Sequence, residues 1–465
     1  MQFNNPPLFE RRGLMLDISR NRVPTLSCLK RLIDALAALH YNELQLYTEH
    51  TFAYSEHETV WENASPMTSE EIVAIDAYCA ERGIELVPNQ NSFGHMERWL
   101  QHAPYRHLAE SPDGFIHPIS GEQKHPSTLH PCSESLDFID QLYSELLPNF
   151  KSKQVHVGGD EPWELGKIRS KELADKVGKH RVYLDYMKGV FEVAQKYDRS
   201  PQFWADIIME RPDLVPELPN SAIPVIWGYE ADSPFAEQCK IVAEAGFRRQ
   251  YCVAPGAGNW NSFSGRLDVA RANIELAAKE GHANGARGLL LTAWGDNGHH
   301  QAWPTLYPTV VIAAAVAHGT QLPQLKLEST IDEIFYPSGA KGHGRAICEL
   351  GKLDAMIPQP APPNSFLHSA FFANSQALQE LLKQITKAEL KACLDALDQI
   401  ELEGLDRELE LCAGLNRFAI ERCLGLEPEK NREELADTFA KQWLRHSRQG
   451  GLVESVARIR NTSCM

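Results

Sequence analysis

From residue 13 to about residue 320 the chain alternates short apolar runs with longer amphipathic stretches. Runs of this length predict buried strands, and apolar positions spaced three or four apart predict helices that cover them. The predicted strands are 13–19, 43–49, 84–91, 154–161, 201–207, 223–229, 248–255 and 288–295. Because eight strands that alternate with helices fit one closed parallel sheet, the pattern predicts an α/β fold, a (β/α)8 TIM barrel.

The intervening helices are predicted from their spacing and from the glycines that follow them. The first begins after Pro24, and others end at Gly83, Gly246 and Gly281, where a left-handed residue commonly closes a helix. A doubly wound sheet is the alternative fold. It would normally carry a glycine-rich phosphate turn after its first strand, and the sequence LDISRNRVPT at 16–25 contains none.

The alternation stops after about residue 325, and the segments 378–387, 391–400 and 409–423 have helical spacing with many Glu and Lys residues. We therefore predict two domains. The (β/α)8 catalytic barrel occupies residues 1–325, and an α-helical C-terminal domain occupies residues 326–465. A proline-rich joint at 357–365 interrupts the second domain.

Charge and composition exclude several kinds of partner. Lys and Arg number 46 against 62 Asp and Glu, a net charge of −16, which disfavours nucleic acid and anionic membranes as partners.

The first twelve residues lack the apolar core of a signal peptide, and no apolar run is long enough to span a membrane, so we expect a cytoplasmic protein. The ten cysteines lack metal-ligand spacing and are expected to be ordinary small core residues. The sequence does not decide whether the protein forms a homodimer.

The most distinctive polar run is HVGGDE at 156–161, at the carboxyl end of the fourth predicted strand, where barrel enzymes place their active sites. Asp160 and Glu161 are neighbouring carboxyls, and such neighbours tend to separate in pKa, which suits general acid chemistry. Strict alternation would direct them to opposite faces. Either Gly158 and Gly159 twist the strand end, or only one carboxylate faces the pocket. A surface Asp-Glu pair without function is the alternative.

Three tryptophans, Trp204, Trp227 and Trp294, end separate strands and are candidates for the apolar wall of a sugar pocket, although a single buried Trp is more often part of a core. The 18 histidines raise a metal hydrolase as an alternative, but no HExxH motif occurs. The nucleophile elbow of serine hydrolases and the P-loop are missing too. We expect neither a metal nor another cofactor.

The run at 156–161 resembles the central signature of glycoside hydrolase family 20, the β-N-acetylhexosaminidases. The opening RGLMLD at 12–17 is similar to the Arg-Gly-x-x-x-Asp strand of that family, and Phe93-Gly94-His95 resembles its Pro-Gly-His segment. The resemblance extends over residues 11–320, the whole predicted barrel. It implies a short bacterial form that lacks the α/β domain commonly found before the barrel.

The resemblance implies that Glu161 is the general acid/base and that Asp160 orients the 2-acetamido group of the substrate, whose oxygen attacks the anomeric carbon. It further implies that Tyr251 donates a hydrogen bond to the acetamide and that Arg12 holds the hydroxyls at C3 and C4. The remaining residues that it implies around the sugar are Trp204, Trp227, Trp294, His95, His156 and Asp296.

Two positions depart from the family pattern. Val253 stands where an aspartate is common on strand seven, and Asp296 stands where a glutamate is common on strand eight. Both usually contact the hydroxyls at C4 and C6, so the preference between N-acetylglucosamine (GlcNAc) and N-acetylgalactosamine (GalNAc) is left open.

The resemblance and the residues together predict an exo-acting, retaining hydrolase. It would remove terminal β-linked GlcNAc or GalNAc from small oligosaccharides or glycoconjugates. The alternative is a catalytically silent sugar-binding or regulatory protein on the same barrel. Such a protein would be expected to have lost Asp160 or Glu161, and both are present.

Overall fold

The computed structural model describes residues 3, 5–20, 22–118, 121–338, 341–358 and 363–461. Eight parallel strands close into a barrel in the order β1-β10-β9-β8-β7-β6-β3-β2, which confirms the predicted fold. The barrel strands are β1 (Arg11–Asp17), β2 (Glu43–Thr48), β3 (Glu85–Gln90), β6 (Gln154–His156), β7 (Ser200–Trp204), β8 (Ile223–Gly228), β9 (Cys252–Pro255) and β10 (Gly288–Ala293). A short antiparallel hairpin, β4 (Phe115–Ile116) and β5 (Gln123–Lys124), lies between β3 and β6 and was not predicted.

Helices surround the barrel on its outer face. They are α1 (Leu26–Ala38), α2 (Glu58–Trp61), α3 (Ser69–Ala80), α4 (Glu97–Leu100), α5 (Ser133–Leu146), α6 (Lys171–Val177), α7 (Lys179–Lys196), α8 (Asp206–Met209), α9 (Phe235–Val242), α10 (Leu267–Asn284) and α11 (Tyr307–Ala317). Local sequence explains their ends. Thr68 and Glu71 form a reciprocal capping box at the start of α3, and Gly83, with φ +69°, follows its end.

One predicted helix end is wrong. Helix α10 continues through Gly281 and ends at Gly285, which adopts the left-handed conformation with φ +79°. Gly281 serves packing instead, since a Cβ atom there would come within 2.8 Å of the Val253 side chain on β9. The glycine therefore brings helix and strand close together.

The later part of the chain is helical, as its spacing predicts. The helices are α12 (Gln324–Phe335), α13 (His343–Lys352), α14 (Phe366–Phe372), α15 (Ser375–Leu382), α16 (Lys387–Asp398), α17 (Arg407–Leu424), α18 (Arg432–His446) and α19 (Leu452–Arg460). The predicted domain boundary at 325/326 falls in the first turn of α12, and the division stays a prediction. Part of the proline-rich joint, residues 359–362, lies outside the described residues.

These C-terminal helices dock onto the catalytic end of the barrel through buried charge. Arg22, in the loop after β1, donates to Glu408 on α17 at 3.3 Å and to the Ser447 hydroxyl at 2.9 Å. Glu408 also accepts from the Trp303 backbone at 2.8 Å. A buried carboxylate with several partners fixes one docking geometry, because each misplaced partner would leave a desolvated polar group unpaired.

In the described ranges, no helix is both long and apolar enough to cross a lipid bilayer.

Candidate active site

Asp160 and Glu161 lie together beside His95, at the carboxyl end of the barrel. The Nε2 atom of His95 is 3.1 Å from Oδ2 of Asp160 and 3.6 Å from Oε2 of Glu161. Strand β6 already ends at His156, and Gly158, Gly159 and Glu161 all adopt positive φ, at +73°, +96° and +44°. The chain has left the alternation of the strand before the carboxylates are reached, so both side chains can face the same histidine.

Two glycines allow this turn to pack tightly. A Cβ atom on Gly94 would come within 2.4 Å of the Asp160 backbone carbonyl, and one on Gly158 within 2.0 Å of the Asn91 side-chain oxygen. Only a residue without a side chain fits at either position. The loop after β3 therefore lies directly against the backbone of Asp160.

The environment separates the two carboxyl groups in pKa. Burial alone would raise the pKa of Asp160, but the charge and hydrogen bond of His95, together with Arg20, hold it below its ordinary value. Burial raises the pKa of Glu161, and the charges of Asp160 and Asp296 add to this effect although His95 opposes it. Burial would lower the pKa of His95, yet Asp160 raises it to about 9. At neutral pH an ionised Asp160 thus lies beside a charged His95, and Glu161 holds its proton to a higher pH than an ordinary glutamic acid.

Arg20 is the charged side chain at the end of β1. Its guanidinium lies 3.3 Å from Asp17 and 3.3 Å from Glu49, and 3.4 Å from Nδ1 of His95. Asp17 also accepts from the backbone of Gly295 at 2.9 Å, which ties the end of β1 to the end of β10. Burial raises the pKa of Glu49. These groups form a charged wall beside the carboxylate pair.

An aromatic wall adjoins these charges, and the Arg20 guanidinium lies 4.7 Å from the Tyr47 ring centroid and 5.2 Å from that of Trp294. Trp204, Trp294 and Tyr47 pack together inside the barrel mouth, with ring centroids 5.8 Å apart for the two tryptophans. Trp227 stacks on Tyr229 at 4.9 Å, and the Tyr229 hydroxyl accepts from the Trp294 indole at 2.8 Å. All three predicted tryptophans therefore lie at this end of the barrel.

His156 lies beneath this wall and is fully buried. Its ring is 4.2 Å from that of Trp204, and its Nδ1 atom accepts from the backbone of Gly158 at 3.1 Å. Burial lowers its pKa to about 3, so the ring is neutral and packs as part of the support under Trp204.

The structure does not bring Arg12 and Tyr251 to the site, and their placement needs correction. Arg12 is the second residue of β1, at the opposite end of the barrel, and donates to the carbonyls of Phe9 and His40 at 2.8 and 2.9 Å. Tyr251 precedes β9 and is fully buried beside Cys239 of α9.

Tyr251 lies outside the site because side chains alternate between the two faces of β9. Cys252 and Ala254 face the barrel interior, so Tyr251 and Val253 face the helices. Val253 is therefore not a pocket position, and its departure from the family pattern does not bear on sugar recognition.

Sequence reasoning left three residues out of the predicted site: Arg20, Tyr229 and Asp206. Each stands within three residues of the carboxyl end of a barrel strand, which is the signal that could have identified them. Oδ2 of Asp206 lies 3.4 Å from the backbone nitrogen of Glu161. Burial raises the pKa of Asp206 to about 8, and the charges of Asp160 and Glu161 contribute.

The loop after β10 carries Asp296 in an unusual backbone conformation. Four consecutive residues, Asp296 to His299, have φ values of +20°, +43°, +102° and +54°. Residues with a side chain rarely adopt positive φ, so Asp296, Asn297 and His299 cost roughly 1–3 kcal/mol each, and such strain is concentrated at functional sites. Burial raises the pKa of Asp296, and Arg20 and His95 are the cations near it.

Several buried polar atoms of this site have no hydrogen-bond partner within the part of the chain that the structure describes. They include Oδ1 of Asp160 and the indole nitrogen of Trp204. Because buried polar atoms are almost always paired, this group indicates a place where a ligand supplies the missing donor and acceptors.

Comparison with known proteins agrees with this geometry. The profile described as "Glycosyl hydrolase family 20, catalytic domain" matches residues 9–249, just over half of the chain. The chain belongs to glycosyl hydrolase family 20. The predicted family and enzyme class, a glycoside hydrolase, are thereby confirmed.

Among curated relatives, human hexosaminidase D is 24% identical over 349 residues, which cover 70% of this chain and 67% of the relative. The β-hexosaminidase subunit beta of Felis catus is 24% identical over 261 residues, covering 52% of this chain and 46% of the relative. The chain thus spans about half the length of the β-hexosaminidase subunits that it matches.

Solved family 20 structures share the fold. The exo β-N-acetylglucosaminidase of Vibrio harveyi superposes with a TM-score of 0.56 at 17% identity, over 71% of this chain and 58% of that one. The chitobiase of Flavobacterium johnsoniae gives a TM-score of 0.55 at 16% identity, over 97% of this chain and 78% of that one.

Proposed function

We propose that the protein is an exo-acting, retaining β-N-acetylhexosaminidase that removes terminal β-linked GlcNAc or GalNAc from oligosaccharides or glycoconjugates by substrate-assisted catalysis. The observation that carries the proposal is the contact of both Asp160 and Glu161 with one nitrogen of His95, combined with opposite shifts of their two pKa values. Asp160 thus ionises more readily than an ordinary aspartic acid, and Glu161 holds its proton to a higher pH than an ordinary glutamic acid.

Glu161 is the general acid. Its raised pKa lets it hold a proton to a higher pH than an ordinary glutamic acid, and its side chain is about one-third exposed, so it can reach the oxygen of a leaving sugar at the pocket mouth. After the leaving group departs, the same carboxylate accepts a proton from the water that completes hydrolysis.

Asp160 acts on the 2-acetamido group of the substrate and not on its anomeric carbon. It shares one imidazole nitrogen with Glu161, so both carboxylates approach the sugar from the same side. An ordinary retaining pair instead flanks the glycosidic bond. The unpaired Oδ1 of Asp160 is placed to accept the N–H of a 2-acetamido group, which turns the acetamide oxygen towards the anomeric carbon. The ionised Asp160 then stabilises the positive charge that develops as the oxazoline ring closes.

The aromatic wall suits the acetamide and the apolar face of one terminal sugar. The ring faces come from Trp204, Trp227 and Trp294. These residues pack on the side chains that fill the barrel interior. Because the Trp294 indole donates to Tyr229, the hydroxyl proton of Tyr229 is directed to another acceptor, and we assign it to the acetamide oxygen. This is the role that the family resemblance implied for Tyr251.

Arg20 and Asp296 hold the sugar hydroxyls. Arg20 takes the role that the resemblance implied for Arg12, because it is the arginine at the catalytic end of β1. Its partners Asp17 and Glu49 orient the guanidinium, and a charged donor fixed in this way binds hydroxyls strongly.

Hydrolysis of p-nitrophenyl β-glycosides of GlcNAc and GalNAc tests the proposal. We expect turnover of at least one of them, and a loss of about a thousandfold or more in kcat for the double variant Asp160→Asn/Glu161→Gln. Asp137→Asn, on the exposed face of α5, is the matched control and should retain full activity. Sugar binding without turnover of either glycoside would overturn the proposal in favour of a silent sugar-binding protein.

A further inference from the structure

Helix α19 of the C-terminal region lies across two loops that carry active-site residues. Arg98, three residues after His95, donates to both carboxylate oxygens of Glu454 on α19, at 3.0 and 2.7 Å. From the same helix, Arg458 donates to the backbone carbonyl of Asn297 at 2.9 Å. Helix α19 therefore joins α4, which directly follows the β3 loop and His95, to the loop after β10.

A further contact fixes the second loop. Nε2 of His300 lies 3.0 Å from the backbone carbonyl of Ser455, and both residues are buried. A Cβ atom on Gly298 would come within 3.1 Å of the Arg458 side chain, so the arginine lies directly against the loop. Ser455 and Arg458, one turn apart on α19, thus contact three residues of this loop: Asn297, Gly298 and His300.

The loop that α19 contacts is the strained one. Residues 296–299 all have positive φ, and a conformation of this kind persists only where its surroundings fix it. The barrel provides two of the restraints, the bond from the Gly295 backbone to Asp17 at 2.9 Å and the bond between Asn297 and Asn261 at 2.9 Å. From the C-terminal helices, the bond of Arg458 to the Asn297 carbonyl acts within the strained residues 296–299, and the contact of Ser455 with His300 acts just after them.

We propose that Arg458 is a positioning residue of the active site. By holding the Asn297 carbonyl, it keeps the preceding residue, Asp296, directed at Arg20 and the bound sugar. The C-terminal helices then have a specific task in substrate binding beyond covering the barrel. The kinetic part of this inference rests on the proposed function.

The same helix offers a matched control. Arg460 is two residues further along α19, and it pairs with Glu433 and Asp437 of α18, at 2.7 Å each. Removing Arg460 deletes a comparable arginine and its ion pairs without touching a barrel loop. A general loosening of α19 would affect both variants alike, whereas loss of the loop restraint would affect only Arg458→Ala.

Steady-state kinetics on an aryl N-acetylhexosaminide test the inference. We expect Arg458→Ala to lower kcat/KM by about tenfold, mainly through KM, Arg458→Lys to retain most of the activity because it still has a donor, and Arg460→Ala to stay within about twofold. If Arg458 acts through Asp296, its removal should matter by no more than about twofold in an Asp296→Asn background. The same tenfold loss in both backgrounds, or an equal loss in Arg460→Ala, would overturn the inference.

Hydrogen exchange of the full-length protein gives a readout that does not depend on turnover. Amides of residues 295–301 should exchange about tenfold faster in Arg458→Ala than in the wild type or in Arg460→Ala. Equal exchange in all three proteins would overturn the inference even if the enzyme is active. If the wild type hydrolyses no hexosaminide, the proposed function fails, and exchange still decides whether Arg458 holds the loop.

Discussion

Nε2 of His95 lies 3.1 Å from Oδ2 of Asp160, in a pocket where both side chains are largely shielded from water. The pair has two effects on the chemistry. It keeps Asp160 ionised in spite of its burial, and it places a positive charge beside Glu161 without removing the bias of that group towards the acid form. Adjacent carboxyl groups thereby take different roles.

Replacement of the acid should depend on the leaving group. Glu161→Gln cannot donate a proton, so glycosides with alkyl or sugar leaving groups should lose about 100- to 10,000-fold in kcat/KM. A dinitrophenyl glycoside needs little proton assistance and should lose far less. A series of aryl glycosides of graded leaving-group pKa measures this, and equal losses across the series would contradict the assignment.

Replacement of the orienting carboxylate should not depend on the leaving group. Asp160→Asn leaves the acetamide poorly held and the developing positive charge without its counter-ion, so activated and unactivated substrates should lose activity alike, by about a hundredfold or more. The same aryl series provides the comparison. Recovery of near-normal rates with a dinitrophenyl leaving group would assign acid catalysis to Asp160 instead.

The pH profile should depend on His95. Activity requires ionised Asp160 and protonated Glu161, so kcat/KM should fall at low pH with Asp160 and at high pH with Glu161. The positive charge of His95 lowers the pKa of both carboxyls, and therefore His95→Asn should move both limbs of the profile to higher pH. His107→Asn, at an exposed position, is the control, and a profile unmoved by His95→Asn would contradict this account.

Close packing of the loop after β3 predicts that Gly94 tolerates no side chain. In Gly94→Ala the new methyl group would collide with the Asp160 carbonyl, so the carboxylate pair must shift. We expect the free energy of unfolding to fall by about 1–3 kcal/mol, together with a large loss of kcat. Gly414→Ala is the control, because its nearest neighbour is the flexible end of Leu435 in the helical region. Urea unfolding and turnover of both variants decide the matter, and full activity in Gly94→Ala would count against the site geometry.

The barrel was predictable because its signals are local. Each strand is a short apolar run. The HVGGDE run marks the carboxyl end of β6 without any information about the neighbouring strands. The arginine and the tyrosine of the site were misassigned, because Arg12 and Tyr251 were taken from the motif resemblance and not from their distance to the carboxyl end of a strand. Arg12 and Asp17 stand at opposite ends of β1, about 16 Å apart at the usual rise per residue. The motif match at Arg12 points to the wrong end of the strand, whereas Arg20 follows the carboxyl end, where barrel enzymes place their active sites.

The docking of the C-terminal helices could not be predicted from the sequence. Helical spacing identifies the apolar face of each helix but not the surface that it covers. The contact between Arg22 and Glu408 joins residues that are 386 positions apart, and the contact of Arg458 with Asn297 joins residues 161 apart. Neither pair carries a local pattern.

Substrate assistance is the central claim, and one comparison tests it directly. The kcat/KM of the wild-type enzyme is measured on the p-nitrophenyl β-glycosides of GlcNAc and glucose, which differ only in the group at C2. Because intramolecular attack is lost without the acetamide, the N-acetyl substrate should be preferred by a factor of about a thousand or more. Comparable rates on the two substrates, with a glycosyl adduct trapped on a carboxylate of the enzyme, would contradict the account.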